Sequence, residues 1–260
     1  MTTKSSKNSV EDPPVTPKAP AGKSGGVLES PQYLGILVAL VVILITFVLF
    51  LRGKKKGRTI LFVGASESGK TAIFSQLWQG KNVDTVTSIV PNEGEFTLTS
   101  GRPELLLKDL PGNDRLRQKY WDENKAGVRG IVCVIDAAGG SKAIRDGAEV
   151  LYGILTDSVV NSVSPNVLIF ANKQDLPTAK AVKIIRASLE REITTLRLTK
   201  SASLQTTGGS NAPSKALGRP DKDFDFEQLV PIKIDFSEGV GNSDNPNDLK
   251  PIKEWLEKIA

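Results

Sequence analysis

Apolar positions along the chain follow three patterns. Residues 34–51 (LGILVALVVILITFVLFL) form an unbroken uncharged run of eighteen, with Thr46 as the only hydroxyl. That length is about the minimum for a helix crossing a hydrocarbon core, and Tyr33 suits the interface, so residues 33–51 are expected to be a transmembrane helix. From Thr59 onward, short apolar runs alternate with longer stretches in which apolar residues recur every three or four positions. This alternation predicts an α/β fold, a mostly parallel six-stranded sheet with helices on both faces. Strands are expected at 59–63, 95–99, 104–108, 130–135, 166–170 and 231–236. Helices are expected from Gly69 to about Gln79, from Gly140 to about Val160, along the stripe Val182, Ile185, Leu189, Ile193, Leu196, and over 249–259. The third pattern is an absence of period: residues 199–222 are rich in Ser, Thr, Gly, Ala and Pro. They read as a flexible insertion, which in a compact fold is either functional or disordered.

Charge gives the first run a direction. Leu51 leads straight into Arg52, Lys54, Lys55, Lys56 and Arg58. Such a cluster resists translocation and is drawn to the anionic cytoplasmic leaflet. Residues 52–58 are therefore expected to be a basic cytosolic linker, with the domain 59–260 also cytosolic. Residues 1–32, rich in Ser, Pro and Gly, are expected to be a disordered lumenal tail. A cleavable signal sequence and a buried core helix are the alternatives; a signal sequence normally starts nearer the N-terminus and ends in small residues. The net charge of +5 equals the contribution of those five cations, so the rest of the chain is close to neutral. That argues against a direct nucleic-acid-binding surface. The chain holds no histidine and a single cysteine, Cys133, which excludes histidine-based catalysis, a disulfide framework and a Cys/His metal site.

Three short motifs carry candidate chemistry. Gly64, Ala65, Ser66, Glu67, Ser68, Gly69, Lys70 and Thr71 match G-x-x-x-x-G-K-[ST] between an apolar strand and a helix, with Ala72 next to them as a further nucleotide-binding candidate. The glycines let successive backbone N–H groups turn toward phosphate oxygens, and the helix N-terminus adds its positive dipole end. Lys70 would bridge β- and γ-phosphates, and Thr71 would offer its hydroxyl to Mg²⁺. Asp109-Leu110-Pro111-Gly112 follows the next apolar strand: Asp109 can hold Mg²⁺ through water, and Gly112 can offer its N–H to a γ-phosphate. Asn172-Lys173-Gln174-Asp175 ends a later strand, at the carboxyl edge where open α/β sheets bind ligands. The Asp175 carboxylate can accept from both the ring N–H and the amine of guanine. Adenine would leave it unpaired at considerable cost. Lys173 can lay its stem across the base, and Asn172 can brace the loop.

In this order and spacing the motifs resemble the small GTPase superfamily over residues 59–260. The resemblance implies GTP and Mg²⁺ as ligands. It places Thr85, Val86, Thr87 and Ser88 in a first switch, with Thr87 or Ser88 as the Mg²⁺ ligand, and Ser237 and Glu238 in a loop near the guanine oxygen. Within that superfamily the chain is similar to the β-subunit family of the signal recognition particle receptor, through its N-terminal span, TVTSIVPNEG at 85–94, DLPGNDRLR at 109–117 and the linker 195–229. That likeness implies an endoplasmic-reticulum membrane location and an α-subunit partner, with the ribosome and translocon reached indirectly. Asn113 stands where many small GTPases carry a water-positioning Gln, one methylene longer, so slow hydrolysis is expected. The alternative reading is a membrane-bound cycling GTPase of the Arf and Sar type.

Overall fold

In a computed structural model, residues 35, 38–46, 57–99, 104–207, 217–245 and 247–260 are described. The chain divides into two units, Met1–Gly53 and Lys54–Ala260. In the first, residues 38–46 are helical, and Thr46 Oγ1 donates to the Val42 carbonyl at 2.7 Å, so its hydroxyl is satisfied inside its own helix. Among the described residues no helix is long and apolar enough to cross a membrane. Parts of the expected span, the tail 1–32 and the cations at 52–56 lie outside the described residues.

The second unit contains strands β1 (Thr59–Val63), β2 (Asn92–Phe96), β3 (Leu105–Asp109), β4 (Val128–Asp136), β5 (Asn166–Asn172) and β6 (Ile234–Glu238). They form one sheet in the order β2-β3-β1-β4-β5-β6, parallel except for β2, which runs antiparallel to β3. Helices are α1 (Lys70–Gln79), α2 (Asp114–Asn124), α3 (Gly140–Leu155), α4 (Ser158–Val163), α5 (Val182–Thr207) and α6 (Lys250–Ile259). The central strands are apolar at successive positions because both faces are covered. Leu61, Val63, Ile131, Cys133 and Ile135 face a core shared with Ile144, Leu151, Ile185, Leu189 and Ile193. Ile60, Phe62, Val132, Val134 and Phe170 face the other, against Ile73, Phe74, Ile252 and Leu256. Because β1 pairs with β3 on one side and β4 on the other, chain direction around the sheet reverses at β1. Its carboxyl end is the topological switch point where such sheets bind ligands.

The expected helix from Gly140 to Val160 is two helices. Asp157 stops the first register and caps α4 by accepting from Val159 N–H at 2.7 Å. β2 begins at Asn92, three residues before its expected start, and α2 was marked by no apolar stripe because only Trp121 of it is buried. The segment 199–222, expected to be a flexible insertion, is described in part. α5 continues through 199–207, and the guanidinium of buried Arg197 donates to the carbonyls of Leu217, Arg219 and Lys222, anchoring the segment's other end. Polar surface residues such as Thr195 and Thr199 lengthen the helix without apolar period; both return their hydroxyls to carbonyls four residues earlier. Residues 208–216 lie outside the described residues.

Candidate functional site

The β1–α1 connection is built by tight backbone approaches. Gly69 has φ of 91°, and an added Cβ would stand 2.2 Å from Asn172 Nδ2, so a side chain there is excluded on both counts. Asn172 supplies the brace: its Nδ2 donates to the Ser68 carbonyl at 2.8 Å, and its Oδ1 accepts from Gly241 N–H at 2.7 Å. One buried amide thus joins the phosphate loop, the end of β5 and the loop after β6. Lys70 opens α1 and is almost fully buried, its ammonium donating to the Ala65 carbonyl at 2.7 Å. Burial pulls its pKa down, while Asp109 opposes the shift and Arg117 adds to it. An ammonium already stripped of water gains the more from a phosphate.

A cavity of about 240 Å³ opens above this loop. Ser66, Glu67, Gly69, Lys70 and Thr71 form its floor, Thr85 to Ser88 one wall, and Leu110 with Gly112 the other. Gly112 presses on the loop: a Cβ there would meet Ser66 Cα at 2.6 Å and Ser66 N at 2.7 Å. Arg117 steadies this corner, its Nη1 donating to the Gly112 carbonyl at 3.0 Å and its Nη2 pairing with Asp114 at 2.7 Å.

Oxygen atoms collect at one edge of the cavity. Thr71 Oγ1 donates to Asp109 Oδ2 at 2.7 Å and lies 3.2 Å from Ser88 Oγ. Asn92 Nδ2 donates to both Ser88 Oγ, at 3.2 Å, and Asp109 Oδ2, at 3.1 Å. Asp109 is fully buried, and its Oδ1 has no hydrogen-bond partner. Burial raises its pKa, against the Thr71 hydroxyl, Lys70 and Asn92, which favour the carboxylate. An orphaned carboxylate oxygen beside two hydroxyls suits a small, hard cation taking oxygen ligands and keeping several waters, as Mg²⁺ does. Of the two switch candidates, Ser88 is the one the structure joins to Thr71 and Asp109. Thr85, Val86 and Thr87 line the cavity but are exposed.

The base-reading candidates lie outside that cavity lining, on the neighbouring strand ends. Gln174 N–H donates to the Gly239 carbonyl at 3.2 Å, bringing the Asn172–Asp175 turn against the loop that follows Ser237 and Glu238. Asp175 is exposed. Lys173 pairs with Asp136 at 2.7 Å. The Glu238 carboxylate accepts from Val182 N–H at 2.8 Å, so its side chain caps α5. Asn113 likewise caps α2, with its Oδ1 accepting from Arg115 N–H at 3.2 Å. Ala72 is buried within α1. Asn92 and Asp136 were missed from sequence: Asn92 lies in the run 85–94 but was given no role there, and Asp136 belongs to no motif; both are the polar residue at one end of a strand.

A phosphate loop at the switch point, a D-x-x-G turn pressed on it and an N-K-x-D turn braced to it define a P-loop GTPase fold. The family model described as signal recognition particle receptor beta subunit matches residues 55–231. The chain belongs to that family. It is 39% identical over 239 residues to signal recognition particle receptor subunit beta of Mus musculus and 37% over 238 residues to that of Homo sapiens, each match covering 88% of both chains. The solved structure of the mammalian SRP receptor contains a chain 37% identical to this one, with a TM-score of 0.68, covering 78% of this chain and all of that one. The SRb-GTP/SRX complex from Chaetomium thermophilum, at 22% identity and a TM-score of 0.61, shares the fold; the match covers 78% of this chain and all of that one.

Proposed function

We propose that this chain is the GTP-binding anchor subunit of a signal recognition particle receptor, holding the α-subunit at the endoplasmic-reticulum membrane for co-translational targeting. The observation that carries the reading is the convergence of Thr71, Ser88 and Asp109, from α1, the first switch and β3, at the edge of a cavity floored by the phosphate loop. Thr71 and Ser88 would hold Mg²⁺ directly and Asp109 through water. The cation supplies neutralisation of the β- and γ-phosphate oxygens. Lys70 would exchange the Ala65 carbonyl for those oxygens, backbone N–H groups of residues 66–71 would cradle them, and Gly112 N–H would meet the γ-phosphate. Lys173, Asp175 and the backbone of Ser237 and Glu238 would enclose guanine.

A docking role is supported by the first switch itself. Val86, Ile89 and Val90 are 87%, 71% and 59% exposed, flanking Ser88 on the same segment. A nucleotide that orders Ser88 therefore also sets the posture of an apolar surface, which is how a γ-phosphate becomes a partner signal. Turnover is secondary in this reading, because the Asn113 amide oxygen is occupied as a helix cap and no histidine can replace it. The ribosome and translocon would be reached through the α-subunit. The Arf and Sar alternative lacks support from the family match.

The anchor part rests on the uncharged run and its cationic flank. In carbonate-washed membranes the chain should remain in the pellet, with its C-terminal domain digested by protease from the cytosolic side. A protected C-terminal fragment would contradict this topology.

A further inference from the structure

Asp136 ends β4 directly beside Asn172 in the parallel β4–β5 register. Its Oδ2 lies 2.7 Å from the Lys173 ammonium, and its Oδ1 accepts from Ala138 N–H at 2.9 Å, which fixes the carboxylate plane. Backbone bonds lock the surroundings: Ala137 N–H donates to the Asn172 carbonyl at 3.1 Å and Lys180 N–H to the Ala137 carbonyl at 3.0 Å. Lys173 itself sits at φ of 65°, a left-handed conformation uncommon for a lysine and kept only where neighbours determine it.

We propose that Asp136 is a positioning residue of the guanine pocket, holding the Lys173 ammonium so that the lysine's aliphatic stem is set in advance as one face of the purine slot. The inference rests on assigning Asn172–Asp175 to guanine. A free lysine loses considerable side-chain entropy when fixed. An ammonium tethered by a charge-assisted bond at 18% and 32% side-chain exposure has lost much of that freedom before the base arrives. Tethering also keeps this second cation away from the phosphates that Lys70 serves. Asp136 touches neither base nor phosphate; it acts through Lys173.

The test is a double-mutant cycle on the full chain in detergent, titrated with fluorescent N-methylanthraniloyl GDP and its GTP counterpart. Asp136→Asn should weaken both nucleotides by about tenfold, equally, because the contact lies at the base end. Lys173→Met keeps an apolar stem without an ammonium, and in that background Asp136→Asn should add less than about twofold. Asp136→Glu should fall closer to wild type than Asp136→Asn. An undiminished Asp136→Asn effect in the Lys173→Met background, or none in wild type, would overturn the proposal. Asp175→Asn separates the two readings: lost guanine preference there with no coupling between Asp136 and Lys173 overturns the positioning role alone, whereas no guanine binding by wild type overturns both.

Discussion

Replacing Gly112 by alanine adds one methyl group at the point where the Asp109–Gly112 turn touches the Gly64–Thr71 loop. The three nearest atoms to that Cβ are Ser66 Cα at 2.6 Å, Ser66 N at 2.7 Å and Ala65 C at 3.0 Å, all backbone. No side chain can rotate away, so the Asp109–Gly112 turn and the loop must separate by most of an ångström. Overpacking of this kind costs roughly 1–3 kcal/mol of stability. The larger effect falls on the γ-phosphate: a Gly112 N–H displaced that far loses a charge-assisted hydrogen bond, about 1.5–3 kcal/mol. That corresponds to roughly ten- to hundredfold weaker GTP binding. GDP presents no γ-phosphate to Gly112, so its affinity should change little. Equilibrium titration with fluorescent GTP and GDP, alongside thermal melting, reads both quantities. Equal losses for the two nucleotides, or no loss for GTP, would refute the placement of Gly112 as the γ-phosphate contact.

Two further outcomes follow from the same site. Asp175→Asn should weaken GTP and favour xanthosine triphosphate, whose 2-oxo group accepts from an amide; unchanged GTP binding would remove Asp175 from the base pocket. Asp109 has a folded-state pKa raised by burial, so its ionised form costs stability as pH rises from the ordinary carboxylate range through the raised value. Mg²⁺ needs that ionised form, so Mg²⁺-dependent stabilisation should fade as pH falls through the raised pKa. Asp109→Asn at neutral pH should then melt, without metal, no lower than wild type while gaining nothing from Mg²⁺; a lower metal-free melting temperature would contradict the sign.

The architecture was legible where side chains repeat with a period. Strands buried on both faces, such as β4 and β5, are plain apolar runs, and the stripe from Val182 to Leu196 marked the buried face of α5. Legibility failed where elements depend on one polar residue. Asp157 divides α3 from α4, Asn113 and Glu238 cap helices, and Arg197 anchors residues 217–222 through carbonyls that no sequence pattern announces. The phosphate-loop and D-x-x-G motifs were readable as candidates because backbone geometry and cation chemistry demand those residue types at fixed spacing, and the structure brings Lys70, Thr71, Asp109 and Gly112 together around one cavity. Asn92 and Asp136 were not, since their roles arise from strand register, a long-range property.

In the proposed function, nucleotide state at Gly112 and Ser88 governs docking through the first switch. Its most direct test is the affinity of the α-subunit for the detergent-solubilised chain loaded with a non-hydrolysable GTP analogue or with GDP, each with Mg²⁺. The GTP-analogue form should bind at least about tenfold more tightly, a coupling of roughly 1.4 kcal/mol between the two sites. Equal affinity for the two forms would contradict it.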